Sequence, residues 1–140
     1  MNFVNSMTSA QSAALWSGLL ILLLVLLSVR VVLGRQKHRV VLGDGGNADL
    51  TLRGRVFGNA AEYIPVGVGA LAVLTLLGMP AYCIHAVGGV LFLGRILHAS
   101  GLTAGKPTPG RLFGMVLTYL ALIGAAGMLL VHAFVGAAHS

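Results

Sequence analysis

The residues best equipped for chemistry stand together in Arg55-Val-Phe-Gly-Asn59-Ala-Ala-Glu62-Tyr63-Ile-Pro65. At about 100° per residue, Arg55, Asn59, Glu62 and Tyr63 fall within roughly 100° of arc, one polar stripe on an otherwise apolar helix. A guanidinium for a carboxylate, an amide that donates and accepts, and a carboxylate for an ammonium are together what a zwitterionic peptide needs. An ionisable residue at membrane depth is costly and marks a functional site by default. The plainer alternative is that Glu62 pairs with an arginine of another span and only holds a bundle together.

Other candidates carry less. Gly101-Leu-Thr-Ala-Gly105-Lys106-Pro107 has the look of a phosphate loop, but the spacing is one residue short, Pro107 stands where Ser or Thr is required, and no strand precedes it. Gly43-Asp44-Gly45-Gly46 reads as a turn. His85, His98 and His132 lie in or near apolar runs without close helical spacing, and no cysteine or carboxylate completes a set, so no metal is implied. A bis-histidine haem is the remaining alternative for them. His98, one turn after Arg95, is expected to line a cavity or satisfy a helix end. The single cysteine, Cys83, excludes an intrachain disulfide and reads as packing.

These residues must be positioned by membrane helices. Hydrophobic residues make up 57% of the 140, charged residues 9%, and mean hydropathy is +0.94, against roughly 45–50% and about 25% in ordinary globular chains. That composition excludes disorder and a water-soluble globule, and the length predicts a single domain over residues 1–140. No charge precedes Arg30, and an aliphatic run forms span one, about 13–33. With no basic residues ahead of it, this run is expected to be an uncleaved helix and not a signal peptide. Residues 63–94 carry no Lys, Arg, Asp or Glu but are interrupted by Gly78-Met79-Pro80, which predicts a hairpin between span two, about 55–77, and span three, about 81–98. Span four runs over about 111–135, after Pro107 and Pro109.

All nine basic residues fall in two stretches: Arg30 to Arg55 between spans one and two, and Arg95, Lys106 and Arg111 around the junction of spans three and four. By the positive-inside rule both basic loops are cytoplasmic and both chain termini lie outside the cytoplasm. The net charge of +6 is therefore topological, not the footprint of a nucleic-acid partner. Small residues at close spacing, Gly67 and Gly69, Gly88 and Gly89, and Gly114, Thr118, Ala121 and Ala125, let helix backbones approach closely in lipid.

The pattern Arg55-x-x-x-Asn59-x-x-Glu62-Tyr63-x-Pro65 resembles the signature of the membrane-associated proteins in eicosanoid and glutathione metabolism (MAPEG). This is the family of microsomal glutathione transferases, leukotriene synthase and microsomal prostaglandin E synthase. Arg35-Gln-Lys-His-Arg39-Val40 after span one, Arg95-Ile-Leu-His98 at the end of span three and a lone Arg111 opening span four agree with it. The first loop is similar to that of small bacterial inner-membrane members, and the resemblance covers roughly residues 15–135.

The resemblance implies an all-α membrane protein, a bundle of four transmembrane helices assembled as a homotrimer, with glutathione as co-substrate between neighbouring subunits near the cytoplasmic face. Arg35, Arg55, Asn59, Glu62 and Tyr63 would contact glutathione. Arg111 would match the arginine that stabilises its thiolate, and a guanidinium just inside a helix opened by Pro107 and Pro109 would add to the helix dipole in lowering a thiol pKa. The bland alternative for Arg111 is an interfacial anchor. The chain departs from the better-studied enzymes where they carry tyrosines: Leu102 follows His98, and Tyr119 lies well inside span four. The expected function is a glutathione-dependent transferase or peroxidase acting on a lipophilic substrate from the bilayer. Two other classes stand beside it: a non-catalytic scaffold of the same fold, and a small proton-coupled exporter using Glu62.

Overall fold

The computed structural model describes residues 7–137. Four helices follow one another: α1 (Ser9–His38), α2 (Ala48–Leu76), α3 (Ala81–Thr103) and α4 (Pro109–Ala137). Each is long and apolar enough to cross a membrane, and the chain is an all-α, four-span membrane protein.

The helices outrun the apolar spans, because hydropathy marks where lipid lies whereas capping decides where a helix stops. α1 is 30 residues long, about 45 Å at 1.5 Å per residue, against about 30 Å of hydrocarbon. Its start is fixed by a capping box, with the Thr8 hydroxyl accepting from the Gln11 N–H and Gln11 Oε1 accepting from the Thr8 N–H. Its end comes at Arg39, in the left-handed region at φ 54°, where the Val40 N–H reaches back to the Arg35 carbonyl at 3.0 Å. α2 begins seven residues ahead of the expected position 55, because Asn47 Oδ1 accepts from the N–H groups of Asp49 and Leu50 at 3.0 and 3.2 Å. Asp49 then holds Arg53 and His38, each at 3.0 Å, tying the first turns of α2 to the last of α1.

The Gly78 hairpin forms as expected. Gly78 takes φ 73°, a conformation open to glycine at little cost. Its N–H and that of Met79 close onto Thr75 and Leu74 at 3.0 and 3.1 Å, and Pro80 opens α3. In the first loop Gly43, Gly45 and Gly46 all have positive φ, and the Asp44 carboxylate accepts from the Thr51 hydroxyl at 2.7 Å and the Gly46 N–H at 3.0 Å. These two bonds, Thr51 first, hold the Asp44 carboxyl below its ordinary value.

α1 packs on α2 and α3, and α4 packs most extensively on α3 and also on α2. Leu20, Ile64, Leu71, Leu74, Ile84 and Leu91 fill the interior, while Leu22, Leu26, Val66, Leu120, Ile123 and Phe134 form part of an apolar exterior suited to lipid or another subunit. Small residues set the spacing. A Cβ on Gly114 would meet the backbone N of His98, one on Gly67 would meet Leu91, and one on Gly88 would meet Trp16. Thr118, Ala121 and Ala125 are likewise buried. Gly69 differs, since nothing lies within 4 Å of a Cβ built there.

At the hairpin end α1 is clasped to α3. Trp16 Nε1 donates to His85 Nδ1 at 3.0 Å, so the neutral ring carries its hydrogen on Nε2 and donates it to Ser12 Oγ at 2.9 Å. The Ser12 hydroxyl in turn donates to the Thr8 carbonyl at 2.8 Å. His85 is thereby a satisfied structural residue.

Candidate functional site

At the opposite end, where both basic loops lie, α2, α3 and α4 enclose a cavity of about 630 Å³, within the usual range of roughly 300–1,000 Å³ for small-molecule sites. α2 contributes Arg55, Asn59 and Glu62, whose spacing of four and three residues puts them on one face. α3 contributes His98 and Leu102, α4 contributes Arg111 and Met115, and Thr108 lines it from just before α4. Four of the candidate residues, Arg55, Asn59, Glu62 and Arg111, therefore meet in one place.

Thr108 precedes α4, its hydroxyl accepting from the Arg111 N–H at 3.3 Å while donating to the Gly101 carbonyl at 3.1 Å. Pro109 occupies the first helical position, where its missing N–H costs nothing. Arg111 thus stands in the first turn with its side chain exposed toward the cavity. His98 lines the cavity as expected and also bonds across to α4, its Nδ1 3.0 Å from the Arg111 carbonyl. Leu102 occupies wall where the family resemblance led one to look for a tyrosine.

Two candidates lie elsewhere. Arg35 lines a neighbouring groove of about 360 Å³ with Asp44, Thr51 and Arg55, and its Nε is buried without a partner. Tyr63 turns to the seam between α2 and α4, where its hydroxyl lies 3.2 Å from that of Tyr119. Consecutive residues on a helix diverge by about 100°, so Glu62 and Tyr63 are separated at the edge of the stripe.

Arg95, which the sequence marks as a topological charge and as part of the family resemblance but not as a site residue, is fully buried beneath the site. One Nη donates to Asn59 Oδ1 at 2.6 Å, the other makes a long 3.5 Å contact with Thr118 Oγ1, and Nε has no partner. Its guanidinium also stands 5.3 Å from the centre of the Tyr63 ring. The available signal was a guanidinium directly continuing a long uncharged run, which is a functional flag in its own right.

Glu62 is exposed on the isolated chain. Among the described residues the ion pairs are those of Asp49 with His38 and Arg53, so no arginine of another helix stands within ion-pair distance of Glu62. The cavity wall thus offers two guanidinium groups, an amide, an imidazole and one carboxylate. Such a set suits an anionic molecule that also carries an ammonium.

Comparison with known proteins agrees with this architecture. The model of the MAPEG family matches residues 13–131. The inner membrane protein YecN of Escherichia coli strain K12 is 36% identical over 111 residues, which cover 79% of this chain and 84% of that protein. YecN of E. coli O6:H1 strain CFT073 matches to the same extent. Because the match runs through all four helices and both basic loops, this chain belongs to the MAPEG family.

Proposed function

We propose that the protein is a glutathione-dependent enzyme of the inner membrane, adding the glutathione thiolate to a lipophilic electrophile or using it to reduce a lipid hydroperoxide. The observation that carries this reading is the convergence of Arg55, Asn59, Glu62 and Arg111 on one cavity from two helices. Glutathione has two carboxylates, one ammonium and a thiol. Arg55 suits a carboxylate, Glu62 the ammonium, and Asn59 the peptide. Arg111, beside the positive end of α4, suits the thiolate. The lipophilic partner arrives from the bilayer.

A homotrimer fits two further features: Glu62 is exposed with no ion-pair partner among the described residues, and Arg35 stands outside its own chain's cavity. The inner-membrane assignment is supported by the name of the bacterial relative. Both termini outside the cytoplasm follows from the charge bias.

Glutathione titration of the purified, detergent-solubilised protein tests the reading. Losing one charged hydrogen bond costs about 1.5–3 kcal/mol, so Glu62→Gln and Arg55→Ala should each weaken binding roughly 10- to 150-fold with the oligomer intact. Variants that bind normally but disassemble would make Glu62 a structural ion-pair partner. A parent that ignores glutathione while Glu62 governs proton-coupled efflux from vesicles would make the protein an exporter.

A further inference from the structure

We propose that His98 is the proton acceptor for the thiol in this cavity, its Nε2 taking the proton while the Arg111 guanidinium holds the thiolate. This rests on the glutathione reading and assigns it a base. His98 Nδ1 lies 3.0 Å from the backbone oxygen of Arg111. A carbonyl only accepts, so Nδ1 must carry a hydrogen, and the neutral ring has its lone pair on Nε2. His98 lines the cavity. Nε2 has no hydrogen-bond partner among the described residues, and it is not one of the occluded unpaired atoms, which are the Nε atoms of Arg35 and Arg95. The ring is 5% exposed, so what access Nε2 has is confined.

The other polar groups of the wall are poorer bases. Arg55 and Arg111 carry guanidinium groups, which donate hydrogen bonds and offer no lone pair. Asn59 is an amide with its oxygen engaged by Arg95, and the Thr108 hydroxyl is committed to the Gly101 carbonyl. Of the two that remain, the Glu62 carboxylate is matched to the ammonium of glutathione, which leaves the His98 imidazole, with its unpaired Nε2, as the group placed to take a proton. The charged groups around His98 are Arg95 one turn earlier on α3, Arg111 on α4, and Arg55 and Glu62 on α2. Base and thiolate-holding cation are also kept in register, because the imidazole is bonded to the main chain of the same residue whose side chain faces the sulfur.

The step balances as follows. The S–H bond breaks, its electron pair remains on sulfur and the proton passes to Nε2, giving an imidazolium with hydrogen on both nitrogens. The sulfur pair forms the new S–C bond to an activated alkene. The carbanion so produced takes the proton from Nε2, and His98 returns to its neutral form.

His98→Asn is the informative variant, since the amide can still donate to the Arg111 carbonyl but cannot act as a base. With a chromogenic activated alkene, H98N should bind glutathione within about threefold of the parent yet lose about 100- to 10,000-fold in kcat at neutral pH. The deficit should narrow as pH approaches the thiol's own ionisation, and added imidazole should restore part of the rate. An H98N enzyme with the parental rate and pH profile overturns the proposal. Should H98N fail to assemble, nuclear magnetic resonance of ring-labelled histidine in the parent decides. Glutathione, but not its S-methyl derivative, should convert His98 to imidazolium, and a His98 that stays neutral beside bound thiolate overturns the proposal. A parent that neither binds nor turns over glutathione removes the underlying reading and this proposal together, whereas an active parent with an unaffected H98N removes the base alone.

Discussion

Among the described residues no carboxylate is bonded to Arg95, and its shortest hydrogen bond is the 2.6 Å one to Asn59. Asn59 also lines the cavity, and its NH2 group can donate there. Arg95 and Asn59 should therefore behave as a unit. A double-mutant cycle with Arg95→Leu and Asn59→Ala, read by calorimetric glutathione binding, should show a coupling of about 0.5–3 kcal/mol. Arg111 should behave differently: Arg111→Ala should abolish the near-ultraviolet thiolate band that appears on adding glutathione and slow conjugation, while lowering affinity only modestly. Tight binding without any such band in the parent would remove the catalytic role of Arg111. The stripe from Arg55 to Glu62 was legible in the sequence because one helix face follows from spacing alone. Tyr63 was not, because its orientation depends on Tyr119 standing opposite on α4, and Arg95 was not, because its partners come from α2 and α4.

Helices α3 and α4 meet at backbone distance, and that contact shapes the site. A Cβ on Gly94 would lie 2.9 Å from the Gly114 carbonyl, and neither backbone can yield without moving a helix. Gly114→Ala should therefore lower the thermal midpoint in detergent and the conjugation rate together, since it pushes the main chain of α4 away from His98. Gly18→Ala meets nothing within 4 Å and should be neutral or stabilising by up to about 1 kcal/mol through helix propensity. The first loop is governed by charge. Asp44 has a folded-state pKa below its ordinary 3.8, so the stabilisation it gives is present above the unfolded value and is lost as pH falls through the folded one. Hydrogen-exchange protection of the Gly46 amide should accordingly fall on acidification below about pH 4 and be insensitive to pH in Asp44→Asn. Number, order and hairpin of the helices were readable from apolar runs and the Gly78-Met79-Pro80 break. Their ends were not, because the cap at Asn47 and the Asp49 contacts with Arg53 and His38 extend α2 through residues that hydropathy scores as loop.

For the whole molecule, the grouping of all nine basic residues in two stretches predicts an orientation. A reporter active only in the cytoplasm should be silent when fused after Ser140 and active when inserted near Gly45, and the reverse pattern would put the cavity on the wrong face for cytosolic glutathione. The bundle also separates its polar groups by end: the charged cavity lies among the basic loops, and the satisfied Ser12–His85–Trp16 clasp lies at the hairpin. His85 and His98 share α3 and stand 13 residues apart, about 20 Å along its axis. Trp16 is the sole tryptophan, so the indole emission of this protein originates wholly at the far end from the cavity. Its intensity should report whether α1 is docked on α3 and stay constant when the cavity fills, which gives the chain an internal optical gauge of correct assembly that can be read while a ligand is titrated.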